Sequence, residues 1–209
     1  MIVYPAIKST AAVVFRGWLK VRVEGKDNVP KTGPFIMLTN HQSNLDGLLV
    51  HAYSPRLMFS MTKSSPFKHA WARPILRNVG TFPARRHRVD PQVVRVALRY
   101  LGEGRAVGIH AEGERSWDGR IRPLRLGTIR LVLKAGVPVI PCGVVGAYDI
   151  WPRWDSFPVR IPFLDRTAVR IRFGSAMHFG RHDHRASREE HLDETLESIT
   201  RVLQELTHP

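Results

Sequence analysis

The amino-acid sequence predicts an α/β fold: a single-domain sandwich with a central, mostly parallel (mixed) sheet flanked by helices, plus an N-terminal amphipathic helix. Short apolar runs alternate with helical patterns along the chain, and this alternation is typical of parallel sheets. The 209 residues suffice for one domain with a sizeable core, and 43% hydrophobic and 24% charged residues are globular proportions. We therefore expect an N-terminal amphipathic helix at residues 1–20, followed by one domain of alternating strands and helices over residues 21–209.

The first helix, predicted over residues 5–19, combines an apolar face with basic residues on its flank and far side. The apolar residues recur at helical spacing: Ile7, Ala11, Val14, Phe15 and Trp18. The basic residues are Lys8, Arg16 and Lys20. Such a helix suits an anionic membrane surface, but the same pattern fits a helix packed on its own domain. The sequence leaves both interpretations open.

The remaining elements each have a local signal. Apolar runs predict strands at residues 21–23, 35–40, 57–61, 81–84, 106–109, 137–145 and 168–173. Helical patterns predict helices at residues 44–52, 66–78, 91–102 and 127–135. A capping box of Ser187 and Glu190 predicts the start of a last helix with a continuous leucine-rich stripe. Residues 148–165, rich in Trp, Pro and Arg, are predicted to form a loop over the site or at a membrane surface.

The charge of the chain indicates an anionic partner. The formal net charge is +14, which favours nucleic acid, an anionic membrane or phosphorylated small molecules. The non-enzyme alternative is a basic nucleic-acid-binding domain. No recognised nucleic-acid motif is present, however, so nucleic acid is not the expected partner. Neither a signal-peptide layout nor an apolar run of about 18 residues is found, so we expect a cytoplasmic protein, peripheral on the inner face of the cell membrane. The single cysteine, Cys142, excludes an internal disulfide and lies in an apolar run typical of a core.

The most informative stretch runs from Asn40 to Asp46, between a predicted strand and a predicted helix. Open α/β sheets place their chemistry at this position, beyond the carboxyl end of a strand. His41 and Asp46 form an H-x4-D pattern, and they can meet only if the chain turns sharply between them. The pair would then be an imidazole oriented by a carboxylate, which is a general base. The same pattern recurs at His178 and Asp183, but without a strand–loop–helix frame around it.

Four ordered blocks resemble the lysophospholipid acyltransferase family. The blocks are N-H-Q-S-N-L-D at residues 40–46, G-T-F-P-A-R-R at residues 80–86, H-A-E-G-E-R-S at residues 110–116 and V-P-V-I-P at residues 137–141. Their order and spacing hold from about Val21 to Phe173. Two departures occur in the third block, where His110 and Ala111 replace Phe-Pro and Glu114 replaces a small residue. Glu114 adds a negative charge beside the expected phosphate pocket, which bears on the acceptor more than on the reaction.

The resemblance implies an O-acyltransferase of phospholipid biosynthesis. A fatty acyl group would pass from acyl-CoA or an acidic acyl carrier protein to the free hydroxyl of lysophosphatidate, giving phosphatidate; another lysolipid or a glycolipid is the alternative acceptor. His41 would be the base and Asp46 its orienting carboxylate, without a covalent intermediate. Residues expected to bind substrate are Lys63, Arg85, Glu112, Gly113 and Arg115.

The resemblance also gives candidates for stabilising the thioester oxyanion: the side chain of Lys63 and the backbone amides around Val139 and Ile140. Neither a cofactor nor a metal is expected, with acyl-CoA or acyl carrier protein serving as co-substrate. The cluster of His178, His182 and His184 could bind a metal only by accident.

Overall fold

The structure, a computed structural model, describes residues 4–84, 91–159 and 167–208. It confirms the predicted α/β sandwich with a mixed, mostly parallel sheet. Among the described residues the sheet has seven strands: β1 (Lys20–Glu24), β2 (Phe35–Thr39), β3 (Met58–Lys63), β4 (Thr81–Ala84), β5 (Ala106–His110), β6 (Val139–Val145) and β7 (Ala168–Phe173).

Helices cover both faces of the sheet. They are α1 (Tyr4–Trp18), α2 (Asp46–Tyr53), α3 (Ala72–Asn78), α4 (Pro91–Gly102), α5 (Leu126–Ala135), α6 (Arg185–Glu190) and α7 (Leu192–Thr207). Two single turns of 3-10 helix lie at Lys26–Asn28 and Ser65–Lys68. Within the described ranges, none of these helices is both long and apolar enough to cross a membrane.

The sheet topology brings the polar strand ends together. The strand order is β1-β7-β6-β2-β5-β3-β4, and every neighbouring pair is parallel except β6 with β7. Thr39 at the end of central β2 pairs with His110 of β5 on one side and with Cys142 of β6 on the other. The loop that follows β2 therefore emerges beside the loop that follows β5, at one edge of the sheet.

Strand β2 shows why the sheet is buried on both faces. All five of its residues are buried, and they alternate between two core clusters. Phe35 and Met37 face the cluster that contains α1 and α2, whereas Ile36 and Leu38 face the cluster that contains α4, α5 and α7. A continuous apolar run is what a central parallel strand requires, and each such side chain contributes about 1.5–3 kcal/mol of burial.

Helix α1 partly satisfies both interpretations of its sequence. Phe15 and Trp18 are buried in the core, so the carboxyl-terminal half packs on the domain. Ile7 and Val14, which were predicted on the same face, are 38% and 46% exposed, and Val13 is 72% exposed. An apolar surface is therefore left over on the outer side of this helix.

Two local predictions were wrong. The single helix predicted at residues 66–78 is a 3-10 turn followed by α3, with a break at residues 69–71. The predicted capping box does not form, because Ser187 lies inside α6 and its hydroxyl contacts Nδ1 of His182 at 2.7 Å. The last long helix begins only at Leu192, after a short separate helix.

Asn40 extends the pairing of β2 with β6 beyond the last strand residue. Its side-chain amide donates to the carbonyl of Val144 at 2.9 Å, and its side-chain oxygen accepts from the Val144 N–H at 2.8 Å. All of these groups are buried, so their hydrogen bonds cannot be replaced by water. Asn40 thereby fixes the first residue of the loop that carries His41.

We expect Asn40→Ala to lower the free energy of unfolding by about 2–4 kcal/mol, because it leaves a buried donor and a buried acceptor without partners. Urea denaturation followed by circular dichroism measures this. Asn78→Ala is the matched control, since its amide caps only an exposed carbonyl of Pro74. A loss no larger than that of the control would contradict this role of Asn40.

Candidate active site

The structure brings His41 and Asp46 together. Nδ1 of His41 lies 2.9 Å from Oδ2 of Asp46. Asp46 is the first residue of α2, and its carboxylate turns back over the preceding loop, where the same oxygen accepts the N–H groups of Gln42 at 2.6 Å and Ser43 at 2.7 Å. The four residues between the pair thus form a turn closed by the carboxylate, which is why a spacing of five positions puts the two side chains in contact.

This contact decides the tautomer of the imidazole. With Nδ1–H donating to the Asp46 carboxylate, the neutral ring carries its lone pair on Nε2. The side chain of His41 is 12% exposed, whereas that of Asp46 is fully buried. A ring of this kind, reachable at one edge and anchored at the other, has the properties of a general base.

Asp46 has an altered acidity. Burial raises the pKa of its carboxyl to about 6, while the charge on His110, the N–H groups of Ser43 and Gln42, and the charge on Arg115 act in the opposite direction. Oδ1, its second oxygen, is buried without a hydrogen-bond partner among the described residues, which adds to the cost of ionisation. At neutral pH the carboxylate is ionised, and it becomes protonated below about pH 6.

Glu112 supports the loop main chain. Its Oε1 accepts the backbone N–H of His41 at 2.7 Å, and its Oε2 accepts the backbone N–H of Arg122 at 2.9 Å. The residue is only 2% exposed, and burial raises the pKa of its carboxyl to about 7 despite these hydrogen bonds. The sequence suggested substrate contact for Glu112, but in the structure both oxygens are engaged by backbone amides.

His110 is a site residue that the sequence analysis did not select. Its ring stacks on that of His41, with centroids 3.7 Å apart and planes inclined by 9°. Its Nδ1 lies 3.2 Å from the carbonyl oxygen of Asn40. The sequence did contain a signal for His110, which stands where the resembling family has Phe in the third block. The replacement keeps a flat ring at that position and changes only its chemistry.

The rest of the third block joins this site through the main chain. Arg115 donates from Nη1 to Oδ1 of Asn44, and the Ser116 N–H donates to the carbonyl of His41 at 2.7 Å. Gly113 has a φ of 74°, and a Cβ there would lie 2.8 Å from Cγ of Arg125. Glycine is therefore required at position 113 for both conformation and space.

A third segment, residues 147–159, forms one wall beside the loop of His41. The carbonyl of Trp151 accepts the hydroxyl of Ser43 at 2.7 Å and the N–H of Asn44 at 3.2 Å. Further along, the Arg153 guanidinium lies 3.5 Å from the ring centroid of Trp117 and donates to the carbonyl of Arg115 at 2.9 Å. The segment is thus held against both the first and the third sequence blocks.

The other predicted site residues differ in their placement. Arg85 lies outside the described residues, and for Lys63 only the backbone is described, at the end of β3. Val139 and Ile140 are not brought to the site: they pair with Ile36 and Met37, well before the end of β2, and are fully buried. The Val139 N–H also donates to the carbonyl of Met177 at 2.9 Å. The oxyanion role predicted for these two amides is therefore incompatible with their positions.

The second H-x4-D pattern has no comparable geometry. Asp183 accepts from Arg181 at 2.9 Å on an exposed surface. His182 contacts Ser187, and no group of three or more His, Cys, Asp or Glu suited to a metal occurs in the described part of the chain. Cys142 is fully buried, and burial raises the pKa of its thiol well above the usual range, so the thiolate required of a nucleophile is disfavoured.

Comparison with known proteins identifies the family of this chain. A family model described as Acyltransferase matches residues 20–145, a range that contains all four sequence blocks, including the loop of His41. The chain belongs to the acyltransferase family.

Several relatives of this acyltransferase-family chain bear the name 1-acyl-sn-glycerol-3-phosphate acyltransferase. That of Bacillus subtilis is 25% identical over 127 residues, covering 60% of this chain and 63% of the relative. A chloroplastic one from Brassica napus is 28% identical over 151 residues, covering 69% of this chain and 43% of the relative. That of Pseudomonas aeruginosa is 24% identical over 202 residues, covering 91% of this chain and 74% of the relative. The chain thus matches 43% of the Brassica napus relative's length and 63% of the Bacillus subtilis relative's.

The fold also matches a solved structure. The crystal structure of the 1-acyl-sn-glycerophosphate (LPA) acyltransferase of Thermotoga maritima superposes with a TM-score of 0.76, covering 99% of this chain and 81% of the other, at 22% sequence identity. This similarity shows that the two proteins share one fold across nearly all of this chain.

We expect Glu112→Gln to change how stability depends on pH. The folded-state pKa of Glu112 lies at about 7, above its ordinary 4.5, so its contribution to the free energy of unfolding is complete below about pH 4.5 and is lost as the pH rises through 7. The variant lacks this loss, which amounts to at most about 3 kcal/mol. Its stability relative to wild type should therefore increase between pH 5 and pH 8 in urea denaturation.

Glu103→Gln is the control for this pH dependence, because Glu103 is exposed and pairs only with surface arginines. Its effect should be the same at both pH values. A Glu112→Gln effect that is equally independent of pH would contradict the raised pKa.

Proposed function

We propose that this protein transfers a fatty acyl group from a thioester donor, acyl-CoA or acyl carrier protein, to the free hydroxyl of lysophosphatidate, giving phosphatidate. The single observation that carries this proposal is the His41–Asp46 contact of 2.9 Å on a loop where the imidazole edge is reachable. Membership of the acyltransferase family and the names of several relatives support the same reaction.

The proposed mechanism follows from the tautomer of His41. A hydroxyl is almost fully protonated at neutral pH, so it needs a base as it attacks a thioester carbonyl. Nε2 of His41 takes that proton while the oxygen forms a bond to the carbonyl carbon, and Asp46 stabilises the resulting imidazolium. The tetrahedral intermediate then expels the thiolate, which leaves as the thiol with the proton held by His41.

No covalent acyl-enzyme is required in this scheme. A thiolate is a good leaving group, so direct attack by the acceptor hydroxyl is sufficient. General-base assistance contributes a factor of about 10²–10⁴ in rate. His41 is held by two carboxylates: Asp46 binds its ring and Glu112 binds its backbone N–H. His110, the last residue of β5, stacks on the imidazole of His41 with ring centroids 3.7 Å apart, and this contact limits rotation of the His41 ring.

The acceptor's phosphate and glycerol are proposed to lie beside the third block. Arg115 contacts the first-block loop through Asn44, which keeps a guanidinium near the reacting groups. Gly113, with its left-handed backbone, lets the side chain of Arg125 pack where a Cβ would lie, which keeps this arginine beside the third block. Arg85 as a further phosphate ligand and Lys63 as an oxyanion donor remain part of the proposal. Glu112 then acts by positioning His41, and no cofactor takes part.

We also propose that the protein works as a peripheral protein at the inner face of an anionic cell membrane. The support lies in the apolar surface left over on α1, next to Leu48 of α2, which is 55% exposed. A groove of about 480 Å³ lined by residues of both helices opens there. The net charge of +14 favours contact with anionic lipid.

We expect His41→Ala to reduce kcat for acyl transfer to lysophosphatidate at least about 10³-fold, because both the base and its hydrogen-bonded carboxylate lose their function. The measurement is transfer of a radiolabelled acyl group at saturating donor, with circular dichroism to verify folding. His178→Ala, from the second H-x4-D pattern, is the matched control and should leave the rate unchanged. Activity of the His41 variant within tenfold of wild type would refute the proposed base.

For the membrane contact, Val14→Glu should weaken binding to vesicles of anionic phospholipid about tenfold or more, because Val14 lines the apolar groove between α1 and α2 and the substitution places a charge there. Co-sedimentation with vesicles measures this. Val159→Glu tests the other exposed segment, where Val159 is 52% exposed. Loss of binding in the Val159 variant alone would show that residues 147–159, and not α1, contact the lipid.

A further inference from the structure

Glu114 lies among three arginines to which the proposed mechanism assigns no role. Its Oε1 lies 3.6 Å from Nη1 of Arg122 and 3.4 Å from Nη2 of Arg125, and its Oε2 lies 3.2 Å from Nη1 of Arg153. We call these three residues the arginine cluster. They come from two separate segments, the β5–α5 loop and the β6–β7 connection, so Glu114 joins parts of the chain that are distant in sequence.

The arginine cluster borders the site of His41. The backbone N–H of Arg122 and that of His41 donate to the two oxygens of the same Glu112 carboxylate. The residue after Glu114, Arg115, contacts the first-block loop. An acceptor whose hydroxyl reaches His41 therefore has its charged headgroup within the field of the arginine cluster and of Glu114.

Glu114 is ionised throughout the physiological pH range. Partial burial opposes its ionisation, but the hydrogen bond from Arg153 and the charges of Arg122, Arg153 and Arg125 hold its pKa below the usual range. The cluster's three positive charges are thus reduced by one fixed negative charge, and part of the guanidinium hydrogen-bonding capacity is taken up by a carboxylate of this chain itself.

We infer that Glu114 tunes the acceptor preference of this protein: compared with an uncharged residue at position 114, it weakens binding of a phosphomonoester headgroup more than binding of a phosphodiester. A phosphomonoester carries about −1.5 to −2 charges at pH 7 and a phosphodiester carries one, so repulsion by a fixed carboxylate is greater for the monoester. This inference deepens the function proposed above and rests on the same site. Because the arginine cluster and Glu114 together keep a net positive charge, lysophosphatidate remains an acceptor, but its advantage over lysolipids with an esterified phosphate is reduced.

The test compares Glu114→Gln with wild type on three acceptors: lysophosphatidate, lysophosphatidylglycerol and uncharged monoacylglycerol. We expect KM to fall about three- to tenfold for lysophosphatidate, less for lysophosphatidylglycerol and not at all for monoacylglycerol. The difference should shrink in about 0.5 M salt, because exposed charges are then screened. Glu114→Asp, which keeps the charge, should keep the wild-type order of acceptors.

Glu189→Gln is the matched control. Glu189 also binds an arginine through both oxygens, at 2.7 and 2.9 Å from Arg130, but on an exposed surface formed by α5 and α6. It should change no KM. A Glu114→Gln effect that is equal for all three acceptors, together with a lower melting temperature, would show that Glu114 only fastens the two segments together, and it would overturn the inference, as would unchanged KM values.

A binding measurement separates this inference from the proposed reaction. Calorimetric titration with sn-glycerol 3-phosphate and with glycerophosphoglycerol reports headgroup binding without acyl transfer. Tighter binding of the monoester to Glu114→Gln, with the diester less affected, supports the inference even if wild type acylates no lysolipid. Equal affinity of both proteins for both compounds, or no binding of either compound, overturns it even if acyl transfer is observed.

Discussion

The structure of the site depends on one buried carboxylate. Oδ2 of Asp46 holds three hydrogen atoms in place, from the Gln42 and Ser43 amides and from the His41 ring. These three donors offset part of the cost of burying this charge, although burial still raises the pKa of the carboxyl to about 6; without the donors it would take up a proton more readily. The same contacts that define the loop conformation therefore also define the orientation and tautomer of the imidazole.

A second buried carboxylate, that of Glu112, repeats this principle from the neighbouring strand end. One of its oxygens accepts the backbone N–H of His41. The other accepts the backbone N–H of Arg122 and so fixes the β5–α5 loop. Together with Asn40, which fixes the start of the loop to β6, these contacts tie His41 to three adjacent strands. Such a rigid support suits general-base catalysis, in which small errors in the position of the base reduce the rate substantially.

The structure shows where part of the net charge of +14 lies relative to the site. Several arginines near the site are not solvated independently but are organised by Glu114, and one of them, Arg153, also lies on the ring of Trp117. Positive charge beside the site is thus arranged and partly neutralised by Glu114. On α1, the leftover apolar surface lies beside the helix that begins with Asp46, so a lipid-contacting surface and the chemistry would share α2.

The sequence by itself determined the fold class, the strands of the sheet and the His41–Asp46 pair. These features depend on local signals: an unbroken apolar run must be buried on both faces, and a His and an Asp five positions apart at a strand end can meet only across a turn. Only the tertiary structure decided which residues surround the pair. The stacking of His110 depends on the register of β5 with β2, and the role of Glu112 depends on backbone amides that have no sequence pattern. The oxyanion role predicted for Val139 and Ile140 failed for the same reason, because proximity in a sheet is set by register rather than by the position of a motif along the chain.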